Sequence, residues 1–409
     1  MTKNFPKIML LTGSPPGEKG VGQIIVNEIC RHYPLERIAC FATMSRHESW
    51  TPAPEFSDLA IQQVQKRFEH RYRPFPGPLG SASSVATYWG MFRRHCRSLT
   101  QQAIAFGRQH NCEILFSILE SATNIQITDD IAKGLGIPKH VLVWDAPDFI
   151  ATHLRQTPLN LSAVMKAFDN AMTGAAKVAV VSDPMARLYE SQYGVETVML
   201  RHAAPPAAVK RPSVLSASGP IVIGFAGSVS ARPQLDLLQQ SLDQMNWKIN
   251  DRDVRLDLYG MRFVLESRKP RNVRYCGYRS VADTVQALSE TADVLFMPQP
   301  FDKASASFTE LSFPTKLSTY FASGRPILLL SPKVSSLGEF ISEVPFGIWC
   351  SEMNQDQLGS ALRTIVTDDE LRQRSVDAIE QQRDTNFSPP HFAQQLHQFL
   401  GASREAISS

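Results

Sequence analysis

Short apolar runs recur along this chain, and stretches with helix-spaced apolar residues separate many of them. In the first half the runs fall at residues 8–12, 37–43, 113–119, 141–144, 178–182 and 197–201, with helical stretches at 99–110 and 161–172. A strand that is apolar along its whole length has both faces covered. Alternation with helices lets successive strands run parallel through crossover connections. The pattern predicts βα units.

Residues 203–220 break the pattern with Ala, Pro and Ser and read as a linker. A second series then begins, with runs at 221–225, 254–259, 273–276, 294–297, 326–330 and 347–349 and helices at 234–245, 280–290, 315–323 and 353–367. The predicted class is α/β: two tandem doubly wound, Rossmann-like domains facing a cleft. The first spans 1–202 and the second 221–385, while 386–409 forms a C-terminal helix crossing back to the first. In that helix Phe392, Leu396, Phe399 and Leu400 share one face after Pro389 and Pro390, and such a stripe needs a partner surface. Sheets of this kind bind ligands beyond the carboxyl ends of their strands.

The composition, 43% hydrophobic and 20% charged over 409 residues, supports packed cores. No apolar run approaches the ~20 residues that span a bilayer, and residues 8–11 lead into a Gly/Pro loop as a strand does. A cytoplasmic protein is expected. Six scattered cysteines without a CxxC pair argue against zinc and disulfides. The net charge of +3 is too mild for a nucleic-acid binder, but it is uneven: +5 over residues 1–210 and −2 over the rest. Between 66 and 97 there are seven Lys/Arg and one Glu, interleaved with aromatics in KRFEHRYR (66–73) and YWGMFRRHCR (88–97). This stretch suits peripheral contact with the inner face of a membrane or a lipid-pyrophosphate acceptor, or else forms a solvated helix pair.

Residues 13–23 (GSPPGEKGVGQ) follow a strand and open a helix, so their N–H groups can face an anion. The order is wrong for a P-loop. A dinucleotide fingerprint fails too: Ile25 stands where a third glycine belongs, and the second strand lacks a terminal acidic residue. Gly20 and Gly22 are the glycines of a loop at the cleft, or of a tight turn.

The segment 312–328 (SFPTKLSTYFASGRPIL) is the most informative. Pro314 preorganises a helix start, Thr315 can cap it, and Lys316 with the N–H groups of the first turn offers a diphosphate site. Gly324 ends the helix. The pattern P-S/T-K-L-x-x-Y-x-A-x-G-K/R-P-I/V-L resembles the donor-binding segment of GT-B fold glycosyltransferases, particularly family 4. IGFAGS (223–228), LYG (258–260), YCGY (275–278), ADVLFMP (292–298) and VVSDP (180–184) resemble other segments of that family in order.

The resemblance implies a transferase that moves a sugar from a nucleoside-diphosphate-sugar donor to a glycan or lipid-linked acceptor. Retention of configuration is implied, and no cofactor and no metal. It places Thr315, Lys316 and Leu317 at the diphosphate, with Arg232 and Ser228 where the family carries a basic pair. Tyr278 and Arg279 would edge the nucleobase. Two family glutamates eight apart are missing: Leu311 and Thr319 occupy those positions, and Glu310 lies one residue away as the candidate for the sugar hydroxyls. Asp145, after the run at 141–144, is the candidate for contact with sugar or acceptor, or else the N-cap of the next helix. Asp251-Arg-Asp253 precedes a strand in a polar loop and reads as solvent-facing. A nucleotide-sugar epimerase of the same fold and a non-catalytic nucleotide-sugar or glycan binder are the alternatives.

Overall fold

A computed structural model describes residues 5–402 apart from 19, 46–49, 51–52, 70–74, 207–217, 228–230 and 261–271. The chain divides into two compact units. Unit 1 comprises Met1–Arg201 and Ala393–Ser409, and unit 2 comprises His202–Phe392. Much of the 203–220 linker therefore lies outside the described residues.

Unit 1 is built on strands β1 (Ile8–Thr12), β2 (Ile38–Met44), β3 (Ala60–Gln65), β4 (Ile114–Ile118), β5 (Lys139–Val143), β6 (Lys177–Val180) and β7 (Thr197–Met199). They form one parallel sheet in the order β3-β2-β1-β4-β5-β6-β7. β1, β2, β4 and β5 are buried at every residue, as their apolar runs require. β3 was not foreseen. Its sequence AIQQVQ is half-exposed at the sheet edge, where one side stays solvated and no apolar run is needed. Helices between the strands start at side-chain caps: Ser121, Thr157 and Ser182 each accept the N–H three residues on. The helix expected from residue 99 starts earlier, at Arg93, and runs on directly from Gly77–Ala86 through a π turn, Thr87–Phe92.

The C-terminal helix is Pro389–Leu400, and from Ala393 onward it belongs to unit 1. Phe392, Leu396, Phe399 and Leu400 are all buried. The Phe399 ring meets Phe116 of β4 edge-on at 5.1 Å and His140 of β5 at 5.4 Å. The His397 ring nitrogen lies 2.8 Å from the His32 carbonyl oxygen, and Lys177 donates to the Gln398 carbonyl.

Unit 2 carries β8 (Ile221–Ala226), β9 (Lys248–Ile249), β10 (Arg252–Tyr259), β11 (Val273–Gly277), β12 (Val294–Pro298), β13 (Ile327–Leu330) and β14 (Gly347–Cys350). The parallel sheet runs β11-β10-β8-β12-β13-β14, with β9 pairing antiparallel to β10 alone. Alternate residues divide the core. Ile223, Phe225, Leu256 and Phe296 face one helical layer, while Leu295, Met297, Ile327 and Leu329 face the other with Leu317, Tyr320 and Phe321. Asp251 and Asp253 are exposed around the β9–β10 turn.

Candidate functional site

In unit 2 the strand order reverses direction between β8 and β12, which opens a crevice at their carboxyl ends. These two strands pair only at Ile223↔Val294 and Gly224↔Leu295. Beyond that the Tyr320 hydroxyl fills the fork. It accepts the Ala226 N–H at 3.0 Å and donates to the Phe296 carbonyl at 3.1 Å. Burial pushes this phenol far above its usual range, so it keeps its proton and both bonds.

Tyr320 belongs to the helix Lys316–Ser323, and Lys316 lies one turn earlier on the same side. Its ammonium sits 4.9 Å from the centre of the Phe225 ring. Beside it the chain leaves β8 at Gly227, whose φ of 107° only glycine adopts without strain. A Cβ there would stand 3.7 Å from Lys316 Nζ, and one on Gly260 would strike the Gly227 carbonyl at 2.7 Å. The two glycines thus keep side chains of their own off the backbone floor next to the ammonium. Lys316 is half-buried as a whole residue, and desolvation pushes its pKa down to about 8. A cation held at such cost is stabilised by an arriving anion.

One expectation about the first helical turn needs correction. Thr315 occupies the cap position in a helical conformation and makes no side-chain cap bond. The Leu317 N–H is given to the Pro314 carbonyl at 3.0 Å. The turn begins in the tighter i to i+3 register, and Ser318 donates N–H and Oγ–H to the Thr315 carbonyl.

Of the remaining candidates, Arg232 opens the helix Arg232–Gln244, its Nε 3.9 Å from the buried Asp236 carboxylate. Ser228 lies outside the described residues. Tyr278 and Arg279 are exposed past β11, with the Arg279 guanidinium 5.3 Å from the Tyr259 ring centre. Arg279 lines an open depression of about 350 Å³ with Asp283, Gln286, Ala287 and Glu290, whose carboxylates disfavour a diphosphate there. Glu310 is exposed on the short helix Ala306–Leu311.

Unit 1 has its own fork, between β1 and β4, and a residue overlooked in the sequence fills it. The Glu120 carboxylate accepts the Thr12 hydroxyl at 2.9 Å and the Gly13 N–H. The glycine loop therefore already holds an anion, supplied by the chain itself. Gly20 turns the loop into the helix Val21–Arg31 at φ 85°. A Cβ on Gly22 would lie 3.3 Å from Glu120 Oε2, so this glycine makes room for the carboxylate. The signal was an acidic residue two positions after a buried strand and directly before the Ser121 cap. Asp145 is half-buried, two residues past β5, and it is not the N-cap, since Ala146 takes that position. Among the described residues no three His, Cys, Asp or Glu are grouped to hold a metal, and no helix is long and apolar enough to cross a membrane.

No family model matches the chain, and no curated protein matches it in sequence. Solved structures do match over nearly the whole length. One is HepE from Anabaena in complex with UDP and glucose, at 14% identity, covering 97% of this chain and 100% of that one with a TM-score of 0.63. Another is sucrose-phosphate synthase from Thermosynechococcus elongatus, at 12% identity, 98% and 99% coverage and a TM-score of 0.65. A third is the UDP-forming α,α-trehalose-phosphate synthase from Burkholderia xenovorans, at 9% identity, 96% and 100% coverage and a TM-score of 0.64. This likeness shows the fold: tandem Rossmann-like α/β units of the GT-B type.

Proposed function

We propose that the chain is a glycosyltransferase of hexosyl type, akin to family 4. It would move a sugar from a nucleoside diphosphate to a glycan or lipid-linked acceptor, with retention and without a metal. The observation that carries this reading is the Lys316 ammonium, held partly desolvated beside the Gly227–Gly260 floor at the β8–β12 fork. A diphosphate there gains a charge-assisted hydrogen bond, and Arg232 is the second cation proposed for it. As the anomeric C–O bond to the diphosphate breaks and the bond to the acceptor oxygen forms, the leaving phosphate takes the acceptor proton. Lys316 offsets the charge that develops on it. Glu310 is proposed for the donor sugar hydroxyls, Tyr278 and Arg279 for the nucleobase, and Asp145 for the acceptor. The complexes of HepE with UDP and with UDP-glucose support a nucleotide-sugar as donor.

Incubating the purified chain with a panel of nucleotide-sugars tests the reading. Slow release of nucleotide, accelerated by an acceptor, is expected. Sugar isomerisation would mean an epimerase, and binding without turnover a binding protein.

A further inference from the structure

Five of the twelve exposed large apolar side chains among the described residues fall between 68 and 91: Phe68, Phe75, Leu79, Trp89 and Met91. Scattered exposed apolar residues are ordinary, but a contiguous group marks a contact surface. Three of these sit on the continuous helical rod Gly77–Gln109, and Phe75 stands just before it. Gly80, Ser84, Tyr88, Phe92, Cys96 and Leu99 turn inward, while Leu79, Ala82, Ala86, Trp89, Arg94 and Arg97 recur outward at helical spacing. The π turn at Thr87–Phe92 adds a residue to the helix, so Trp89, Gly90 and Met91 are exposed in succession. Leu79 is 74% exposed, Phe75 59%, Met91 51% and Trp89 45%, so these are open side chains and not the rim of a core.

Charge identifies the partner. From residue 70 to 112 there are six arginines and no carboxylate. The one glutamate nearby, Glu69, is buried, accepts the Thr123 N–H at 2.7 Å and pairs with Lys66. The Arg93 guanidinium lies 4.9 Å from the centre of the Trp89 ring, joining the apolar stripe to the basic one. A two-fold contact with a second copy would set arginine against arginine. Aliphatic and indole groups followed by positive charge match the boundary of an anionic bilayer, with apolar tips among the acyl chains and guanidinium groups at the phosphates.

We propose that the face of the helical rod carrying Leu79, Trp89, Met91, Arg94 and Arg97, with Phe75 before it, docks unit 1 on an anionic lipid surface. This goes beyond sugar transfer and does not depend on it.

The test is co-sedimentation of the full chain with phosphatidylcholine vesicles containing about 25 mol% phosphatidylglycerol, against pure phosphatidylcholine. Partitioning at least tenfold stronger on the anionic vesicles, weakening as salt rises, is the expected result. Leu79→Ser with Trp89→Ser, and separately Arg94→Glu with Arg97→Glu, should each lower it about tenfold or more. All four side chains are at least partly solvent-facing, so circular dichroism and donor hydrolysis in solution should be unchanged. Tryptophan fluorescence should shift to the blue on vesicle addition through Trp89, and the shift should be lost in the Arg94→Glu, Arg97→Glu pair, which keeps Trp89. Wild-type chain left in the supernatant, or variants that sediment equally, would overturn the proposal. So would sedimentation velocity showing that the serine pair dissolves a dimer while vesicle partitioning stays the same.

Discussion

The Tyr320 hydroxyl accepts the backbone N–H of Ala226 at 3.0 Å, at the level where β8 and β12 have stopped pairing. The same oxygen donates to the Phe296 carbonyl, so one side chain satisfies two main-chain groups that the diverging strands leave open. Tyr320→Phe keeps the ring and removes both bonds. It should cost about 1–3 kcal/mol of stability, the usual scale for stranded buried polar groups. UDP affinity should fall as well, because Ala226 leads into Gly227 and the floor beside Lys316. A urea midpoint equal to wild type would show that water replaces the hydroxyl at no cost.

Lys316 carries a charge and pH prediction together. Lys316→Ala should weaken UDP binding by roughly 1.5–3 kcal/mol, a lost charge-assisted hydrogen bond. The sign with pH follows from the lowered pKa of about 8 without ligand. A bound diphosphate favours the charged ammonium and raises that pKa, so binding takes up a proton near pH 8. Affinity should change little between about pH 7 and 8, above the last ionisation of the UDP phosphate, and decline above pH 8. Calorimetry in buffers of different ionisation heat measures the uptake. A Lys316→Ala chain with the same decline would assign it to another group.

Glu120 fills the place an external anion would take in the glycine loop. Glu120→Gln keeps an acceptor oxygen for the Gly13 N–H and should cost under about 1 kcal/mol. Glu120→Ala strands that N–H, while the Thr12 hydroxyl keeps the Ser14 carbonyl at 3.0 Å, and should cost about 1–3 kcal/mol. Both variants should bind UDP as wild type does, since the proposed donor contacts belong to unit 2. Equal costs for the two substitutions, or lost UDP binding, would contradict this assignment.

What was legible in the sequence was local. Within one segment Lys316 marked the charge at a helix start and Gly324 the turn at its end, and the apolar runs located the buried strands. The Tyr320 hydroxyl's place between two strands was not legible there. What escaped depended on partners far along the chain. Glu120 acquires its role only because β4 lies beside β1, more than a hundred residues away. The strand Ala60–Gln65 escaped because an edge position relieves it of apolar patterning. The Thr315 cap was misjudged for a subtler reason: the propensity of Thr at a helix start does not say whether the turn opens in α or 3₁₀ register.

The C-terminal helix gives the stability of unit 1 a pH dependence. His140 on β5 is buried against the Phe399 ring, and burial lowers its pKa to about 4 despite a hydrogen bond with the Phe399 backbone. His32, whose carbonyl oxygen meets the His397 ring, is lowered by burial as well and adds a contribution of the same sign. An unfolded histidine titrates near 6.5, so above that pH neither state is protonated and the groups have no effect. As pH falls from 6.5 toward 4, the unfolded chain takes up protons that the folded chain refuses, and stability drops. For His140 the difference amounts to about 3 kcal/mol by pH 4. His140→Gln cannot titrate and retains a donor, so urea unfolding of this variant should lose much of the slope between pH 6.5 and 4. Acid should also release the helix first. Corrected for the intrinsic exchange rate at each pH, protection of the amides in the helix Pro389–Leu400 should fall at pH 5 before that of β1 does. An equal or earlier loss in β1 would mean that the helix and the sheet unfold as one.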